Sequence, residues 1–483
     1  MTKSVCAPST RRRSSDVNRG EEVLKFESAK VRGGEVREQT CAEDEHLGAK
    51  SERSFEASGA GAMSGIPRWS GNAGPLTGRV WFVNLRIKFL TRQGWAMISR
   101  LIQNKAATFI KEFKALAITG PRQSGKTTLA QKAFPKKTYV TLEDPDVRDF
   151  ALSDPRAFLA QFKEGAILDE VQRVPHLFSY LQGLLDRSQK CGQYILTGSQ
   201  QFSLNAGITQ SLAGRIGHIH LLPLAEFELA SASQGSPSVW DAVFKGGYPS
   251  LFQAPVSPVH WLNAYIETYI ERDVQQLKQI HDRTQFRQFV RLCAGSVGQL
   301  VSQNRLGADC GIDQKTAAAW LSVLEAGFIA FRLNPYHTNF RKRLIKTPKL
   351  YFYDTGLACR LLGIRSTEEL SGHPLRGALF ENWVLLEFMK KDNACDSGRQ
   401  FYFWRDQTGL EIDFLSEDSE GFDLIECKSG QTQATDWFAT LNAWVKTTKS
   451  SPRSCHLVYG GADVLTRQGV QVRGWQTCSE IIS

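Results

Sequence analysis

The run GPRQSGKTTL, from Gly120 to Leu129, constrains the fold of this chain more than any other segment. It fits the pattern GxxxxGK[ST], follows an apolar, strand-like segment, ALAIT, and leads into a helix-forming segment. Gly120 and Gly125 let the backbone curl so that successive N–H groups point at phosphate oxygens, while Lys126 neutralises charge and Thr127 offers a hydroxyl to Mg²⁺. The helix that follows the loop presents the positive end of its dipole to the phosphates. A nucleoside triphosphate site is therefore predicted, in preference to a plain glycine turn.

The whole loop and the start of its helix supply the candidate nucleotide contacts. These are Gly120, Pro121, Arg122, Gln123, Ser124, Gly125, Lys126, Thr127 and Thr128. Thr127 is also a candidate Mg²⁺ ligand, because its hydroxyl lies at the position that the pattern assigns to the metal.

Two further apolar segments end in polar residues that suit the same chemistry. GAILDE ends in Asp169 and Glu170, which we expect to hold Mg²⁺ and to polarise the attacking water, respectively. The alternative is that two acids only solvate the end of a strand. QYILTGSQ carries Thr197 and Ser199, which are candidates for sensing the γ-phosphate.

The alternation of strands and helices over residues 115–222 predicts a parallel sheet covered on both faces, with the ligand at its carboxyl edge. Arg215, in LAGRI, follows the sensing strand. An arginine there could complete the site of a neighbouring subunit in a homo-oligomer as a catalytic arginine finger. A surface ion pair is the equally open alternative.

Six motifs in order resemble a known family: GPRQSGKTTL, LDEVQ, LTGSQ, SLAGRI, GGYP and YIERDV. From about Met97 onward the chain is similar to prokaryotic AAA-type ATPases whose C-terminal domain of unknown function resembles restriction endonucleases. The resemblance implies an α/β protein that binds ATP with Mg²⁺ and hydrolyses it. Together with the residue patterns along the chain, it predicts an N-terminal extension at 1–96, an AAA-type ATPase domain at 97–230, a helical linker at 231–284, a winged-helix-like region at 285–350 and a restriction-endonuclease-like α/β domain at 351–483.

Composition limits the other classes of function. The chain carries 59 Lys and Arg against 49 Asp and Glu, but residues 1–96 hold sixteen and eleven of them, so half of the excess charge lies there. Global charge therefore says little about nucleic acid. Ten Cys without a C-x-x-C pair argue against a zinc ribbon or a disulfide framework and favour the cytoplasm. No apolar run reaches the roughly 18 residues of a membrane span, so no membrane partner is expected.

The first 96 residues differ from the rest of the chain. They are polar and rich in Gly, Ser, Arg and Glu, which predicts disorder. Met97 opens a periodic amphipathic helix that leads into the nucleotide strand. We therefore expect Met97 to be the natural start and the preceding residues to be a translated upstream extension.

The middle of the chain predicts a winged helix. From Phe286 three helical segments, FRQFVRLCAG, VSQNRLGADCG and DQKTAAAWLSVLEAG, precede a strand, FIAFRL, and Asp313 suits the cap of the third helix. A basic cluster follows, where a wing could meet DNA phosphates: Arg341, Lys342, Arg343, Lys346 and Lys349. A protein-packing module is the alternative. Asp354 is expected to cap a helix rather than to act in catalysis.

Four polar residues of the C-terminal part match the arrangement of PD-(D/E)xK nucleases. Glu381 lies in a predicted helix, Asp413 in one predicted strand, and Glu426 and Lys428 in the next. Alternate strand residues face the same side, so Glu426 and Lys428 point together while Cys427 turns into the core. Asp413 and Glu426 are expected to hold a second divalent metal with Glu381 as an outer ligand, and Lys428 to orient or deprotonate water as a catalytic residue.

Two functions remain open on these residues. In the first, ATP hydrolysis gates a metal-dependent, nuclease-like module on DNA. In the second, the nucleotide state switches the binding of DNA or of a protein partner, with no cleavage. A transcription regulator rests on the winged helix alone and ranks last.

Overall fold

The computed structural model describes residues 98–198, 212–274, 282–337, 347–448 and 451–482. Its α-helices are α1 (Gln103–Glu112), α2 (Lys126–Ala133), α3 (Pro145–Ser153), α4 (Pro155–Ala160), α5 (Leu177–Arg187), α6 (Glu226–Ser231), α7 (Val239–Lys245), α8 (Ser250–Gln253), α9 (Pro258–Tyr265), α10 (Arg283–Gly295), α11 (Gln303–Cys310), α12 (Gln314–Ala326), α13 (Thr355–Leu361), α14 (Thr367–Gly372), α15 (Arg376–Cys395) and α16 (Ala439–Thr448). A π-helix continues α9 over Ile266–Val274, and 3₁₀ helices span Val171–Arg173, Thr435–Phe438 and Trp475–Ile481. Its strands are β1 (Ala115–Thr119), β2 (Thr138–Thr141), β3 (Ala166–Asp169), β4 (Tyr194–Gly198), β5 (Ile216–His220), β6 (Ala330–Leu333), β7 (Lys349–Phe352), β8 (Gln400–Arg405), β9 (Glu411–Asp418), β10 (Gly421–Lys428), β11 (Ser454–Tyr459), β12 (Leu465–Arg467) and β13 (Val470–Gly474). Within these ranges, none of the helices combines the length and the apolar character that crossing a membrane requires.

Several expectations fall outside the described residues. They are the disorder of residues 1–96, the start at Met97, the sensing role of Ser199, and the basic residues Arg341, Lys342, Arg343 and Lys346.

A five-stranded sheet holds the phosphate loop, in the order β2-β3-β4-β1-β5, and all its strand pairs are parallel. Ala115 and Ala117 of β1 pack into one apolar core with α4 and α5, while Leu116 and Ile118 pack into another with α1 and α2. Helices thus cover both faces, which leaves the carboxyl edge for polar loops. The predicted parallel α/β architecture is confirmed.

Three helices, α10 to α12, follow in the middle of the chain where the sequence predicts them. Asp313 caps α12, because its Oδ1 accepts hydrogen bonds from the backbone N–H groups of Lys315 at 2.7 Å and Thr316 at 3.0 Å. β6 and β7 then pair in antiparallel fashion. Lys349, a member of the basic cluster that could meet DNA phosphates, instead lies in β7 with 2% of its surface exposed, so it is not accessible to a nucleic acid.

The C-terminal part contains a six-stranded mixed sheet in the order β12-β13-β11-β10-β9-β8. Phe414 and Ile425 face the core that includes α15, whereas Leu415 and Leu424 face the core that includes Trp444 of α16. The core on the α15 side continues without interruption into α10, α12 and β7. The middle region and this sheet therefore share one apolar core.

Candidate nucleotide site and C-terminal acidic cluster

The phosphate loop lies at the carboxyl edge of the parallel sheet, between β1 and α2. Gly120 has a φ of 147°, and a Cβ atom there would lie 2.2 Å from the backbone oxygen of Leu221. No other residue fits this position, because the clash is with backbone. Gly125, with a φ of 93°, turns the chain directly into α2. The amino end of α2 therefore faces the loop, as phosphate binding requires.

Lys126 is folded back onto the loop. Its side-chain Nζ donates hydrogen bonds to the backbone oxygens of Gly120 at 3.1 Å and Pro121 at 2.7 Å. Burial lowers the pKa of Lys126 to about 8, although the carboxylates of Glu170 and Asp169 oppose that shift. Phosphate oxygens that replaced the two carbonyls would supply the negative charge that this buried ammonium lacks.

Asp169 gathers three hydroxyl donors at the end of β3. Its Oδ2 accepts hydrogen bonds from Thr127 Oγ1 at 2.9 Å and from Tyr139 OH at 2.8 Å. Its Oδ1 accepts a hydrogen bond from the hydroxyl group of Thr197. The Thr197 side chain is therefore bound to the carboxylate of Asp169. A carboxylate beside a threonine hydroxyl is the oxygen set that Mg²⁺ prefers, so Thr127 and Asp169 fit a nucleotide-bound Mg²⁺.

Glu170 follows in a left-handed backbone conformation, with φ 54° and ψ 42°. Such a conformation costs about 1 kcal/mol or more in a residue with a side chain, and it often marks a functional position. The Oε2 atom of Glu170 accepts a hydrogen bond from Nε2 of Gln172. Gln172 and Tyr139 were not expected from the sequence as partners of the two acids. Gln172 lies in the LDEVQ motif, which is the one signal that could have indicated it.

Other loop residues contact distant segments. Nη1 of Arg100 donates a hydrogen bond to the backbone oxygen of Ser124 at 3.0 Å, and the Arg122 guanidinium lies 5.8 Å from the ring centre of Tyr269. A cleft beside Gln123 and the loop is lined by Ile98, Gln103, Thr128, Leu224, Pro249 and Gln253. Arg100 and Lys132 also line it, so the cleft combines apolar, amide and cationic side chains beside the loop. These residues come from separate segments, so no local motif could have identified most of them.

Arg215 lies far from this edge. It precedes β5 at the amino edge of the sheet, where its backbone oxygen accepts a hydrogen bond from the N–H of Ala115. Its guanidinium forms an ion pair with Asp186, with Nη2 at 3.2 Å from Oδ2. A strand of five residues spans roughly 17 Å, so Arg215 does not reach the loop of its own chain.

A second group of charged side chains lies between β7, α15 and the C-terminal sheet. We call it the acidic cluster: Lys349, Glu381, Glu411, Asp413, Glu426 and Lys428. The structure thus brings together the four residues expected from the nuclease pattern, which are Glu381, Asp413, Glu426 and Lys428. Lys349 and Glu411 were not expected, because nothing in their local sequence links them to that pattern.

Burial and mutual repulsion dominate the acids of this cluster. They raise the pKa of Glu381 to about 7, with Asp413 as the main neighbouring charge. Burial and Asp413 also raise the pKa of Glu426 well above its ordinary value. Burial would lower the pKa of Lys428, but Glu426 and Asp413 outweigh it and raise that pKa. An ammonium held in its charged form is better suited to orienting water than to deprotonating it.

The acids of the cluster are engaged by protein donors. Oδ2 of Asp413 accepts a hydrogen bond from the N–H of Cys427 at 2.8 Å, and Oε2 of Glu426 accepts one from Lys428 at 2.9 Å. Cys427 itself is buried in the core, as predicted. Over the ranges that the structure describes, no three His, Cys, Asp or Glu side chains are grouped as metal ligands. The cluster in this arrangement therefore does not fit the second divalent metal that was expected from the sequence.

Three known families each match a separate part of the chain. The AAA domain family matches residues 112–230, which include the loop, Asp169 and Arg215. Domain of unknown function (DUF8612) matches residues 236–368, and Domain of unknown function (DUF4143) matches residues 376–477. The AAA-type character of the nucleotide region is thus confirmed, while the other two matches name no activity.

Two curated proteins are similar over a longer span. They are Uncharacterized protein Mb2031c of Mycobacterium bovis and Uncharacterized protein Rv2008c of Mycobacterium tuberculosis, each 33% identical over 305 residues, which is 62% of this chain and 67% of the relative. Among solved structures, the Walker-type ATPase PABY2304 of Pyrococcus abyssi is similar with a TM-score of 0.37 and 13% identity, over 55% of this chain and 96% of that one.

Proposed function

Since this chain belongs to the family of the two mycobacterial proteins and carries an AAA-type P-loop domain, we propose that it hydrolyses ATP to ADP and phosphate. We propose further that the nucleotide state is transmitted to its C-terminal α/β part. The observation that carries the first proposal is the hydrogen bond between Thr127 and Asp169, directly beside the buried ammonium of Lys126.

In the proposed mechanism Lys126 exchanges its two carbonyl partners for phosphate oxygens. Thr127 and Asp169 would hold Mg²⁺, which neutralises phosphate charge when it is bound. Glu170 accepts the proton of the attacking water, and the hydrogen bond from Gln172 fixes the direction of its carboxylate. Tyr139 and Thr197 keep Asp169 in place through their own hydrogen bonds.

A chain of direct contacts supports transmission to the C-terminal part. Arg100 binds the backbone oxygen of Ser124 in the phosphate loop and that of Leu222, two residues after β5. Next along the chain, the backbone oxygen of Leu224 accepts a hydrogen bond from Lys390 of α15 at 2.9 Å. The N–H of Glu226 donates to Oε2 of Glu387, also in α15, at 2.8 Å. Movement of the loop would therefore displace the helix that carries Glu381.

For the C-terminal part we favour a nucleotide-switched binding module over a nuclease. The ion pair of Glu381 with Lys349 supports this alternative, because the ammonium places a positive charge beside the carboxylates that would have to hold the metal ion of a nuclease. DNA or a protein is the proposed partner. Arg215 would act on a neighbouring subunit in a homo-oligomer if it leaves Asp186, since it lies too far from its own loop.

The test of the proposed hydrolysis is ATP turnover in a Lys126→Ala variant. We expect at least about a hundredfold loss, because preorganised charge at the transferred phosphate supplies several kcal/mol of the barrier reduction. Lys136→Ala is the matched control, since Lys136 is an exposed residue just beyond α2, and it should turn over ATP normally. Undiminished turnover in Lys126→Ala, with nucleotide-binding residues otherwise intact, would overturn the proposal.

A further inference from the structure

We propose that Lys349 is an internal counter-ion that fills a latent divalent-cation site in the acidic cluster. This role of Lys349 does not depend on ATP hydrolysis. Lys349 lies in β7, which belongs to the middle region and not to the C-terminal sheet.

The contacts of Lys349 are those of a bound cation. Its Nζ lies 3.0 Å from Oε1 of Glu381, in α15, and 2.6 Å from Oε1 of Glu411, in β9. Only 3% of the Lys349 side chain is exposed. One ammonium thus joins carboxylates from two separate elements, at the place where metal ligands were expected from the sequence.

An unused ligand atom lies in the same cluster. Glu426 is 2% exposed, and its Oε1 has no hydrogen-bond partner among the residues that the structure describes. Its other oxygen is held by Lys428. A buried carboxylate oxygen without a donor is costly, and a cation at that position would satisfy it.

The charges of the cluster leave room for a divalent ion. Four carboxylates face two ammonium groups, Lys349 and Lys428, and Arg405 adds a partly exposed partner for Glu411. Removal of Lys349 would leave Oε1 of Glu381 with the Tyr351 hydroxyl as its remaining donor and increase the negative charge around Asp413 and Glu426. Because a full charge a few ångströms away acts in a poorly screened environment, its loss should raise divalent-ion affinity at least about tenfold.

The strand β7 links Lys349 to the middle region. β7 is tied to the middle region through its pairing with β6 and through the hydrogen bond from the N–H of Gly298 to the backbone oxygen of Leu350, at 2.8 Å. The ammonium is therefore supplied by a strand that is hydrogen-bonded to the middle region and packed into the core which that region shares with the C-terminal sheet.

The experiment measures Mn²⁺ binding to the nucleotide-free, full-length protein by isothermal titration calorimetry or electron paramagnetic resonance. We expect Lys349→Gln to bind Mn²⁺ at least about tenfold more tightly than the wild type, and Asp413→Asn in the Lys349→Gln background to abolish the gain. Lys349→Arg keeps the charge and should show no gain. Unaltered Mn²⁺ affinity in a folded Lys349→Gln protein overturns the proposal.

Two further variants test whether the gain is specific to Lys349 and whether it survives a loss of stability. Arg405→Gln removes a partly exposed positive charge that, like Lys349, pairs with Glu411. It should change Mn²⁺ affinity by no more than about twofold, because solvent screens that charge. An equal gain in Arg405→Gln would contradict a specific role for Lys349. If Lys349→Gln does not fold, Lys349→Met takes its place, because it removes the same charge and keeps an unbranched apolar side chain in the buried position. That variant should also gain Mn²⁺ affinity, and no gain in it would overturn the proposal.

Discussion

Among single residues, Lys126 links burial most directly to ligand binding. The residue is 6% exposed, and its ammonium is held by backbone carbonyls rather than by an acid, which explains the low pKa of about 8. Phosphate groups close to Nζ favour the charged form and raise that pKa. Nucleotide binding and protonation of Lys126 are therefore coupled, each favouring the other.

We predict proton uptake when ATP binds at alkaline pH. At pH 8 about half of the Lys126 side chains are uncharged before binding, so binding should take up about half a proton, falling towards zero near pH 6.5. The apparent affinity for ATP should accordingly weaken as the pH rises above about 8. Isothermal titration calorimetry in buffers of different ionisation enthalpy measures the uptake.

Lys126→Arg is the control for this coupling. A guanidinium remains charged throughout this pH range, so no uptake is expected from position 126. Equal uptake in Lys126→Arg and wild type would assign the proton to another group.

At the scale of helices, the two caps Asp354 and Asp313 differ in how deeply they are buried. Asp354 caps α13, since its Oδ1 accepts a hydrogen bond from the N–H of Leu357 at 2.9 Å, which confirms the sequence prediction. Its Oδ2 also accepts one from the N–H of Gly247 at 2.8 Å. The carboxylate is buried and so joins α13 to the segment that follows α7. Asp313 caps α12 in the same way, but at an exposed position.

We predict that Asp354→Ala lowers the free energy of unfolding by about 2–4 kcal/mol. The change removes a helix cap, worth about 1 kcal/mol, and leaves the buried N–H of Gly247 unpaired, at a further cost of about 1–3 kcal/mol. Thermal unfolding followed by circular dichroism measures the effect. Asp313→Ala is the matched control and should have a clearly smaller effect. Similar shifts in both variants would mean that the contact with Gly247 contributes little.

In the whole molecule, α15 connects the two sheets. It has 20 residues and is about 30 Å long. Glu381, near its start, lies in the acidic cluster, while Asn393, near its end, donates a hydrogen bond to the backbone oxygen of His220 in β5. Lys105 of α1 adds an ion pair with Asp396, just beyond the helix, at 2.7 Å. A single helix therefore contacts both the acidic cluster and β5, the strand beside β1 in the nucleotide-binding sheet.

We predict that ATP increases the hydrogen-exchange protection of α15 in the wild type and not in a Lys390→Met variant. The substitution breaks the hydrogen bond to Leu224 and removes the ion-pair partner of the buried Glu387, which keeps its hydrogen bond from the N–H of Glu226. Loss of the ion pair should also cost about 3 kcal/mol of stability. ATP binding itself should persist, because Lys390 does not line the loop. Hydrogen exchange with mass spectrometry measures the protection of peptides from α15.

Lys446→Met, an exposed change in α16, is the control for this experiment and should retain the ATP-dependent protection. Retention in Lys390→Met as well would exclude this contact as the route between the sites.

The amino-acid sequence is sufficient for the features that depend on neighbours a few residues apart. The features that follow from local geometry are the glycine loop, the strands that carry Asp169 and Thr197, the caps Asp313 and Asp354, and the shared side of Glu426 and Lys428. The distant side chains that contact these features depend on how whole helices and strands pack. Only the tertiary structure shows which side chains they are. Examples are Tyr139 on Asp169, Arg100 on the loop, Arg215 at the far edge of the sheet and Lys349 within the acidic cluster. In the sequence, Lys349 is one cation of a basic run. Only the shared core that buries β7 makes it a counter-ion, because a buried charge persists only where packing supplies its partner.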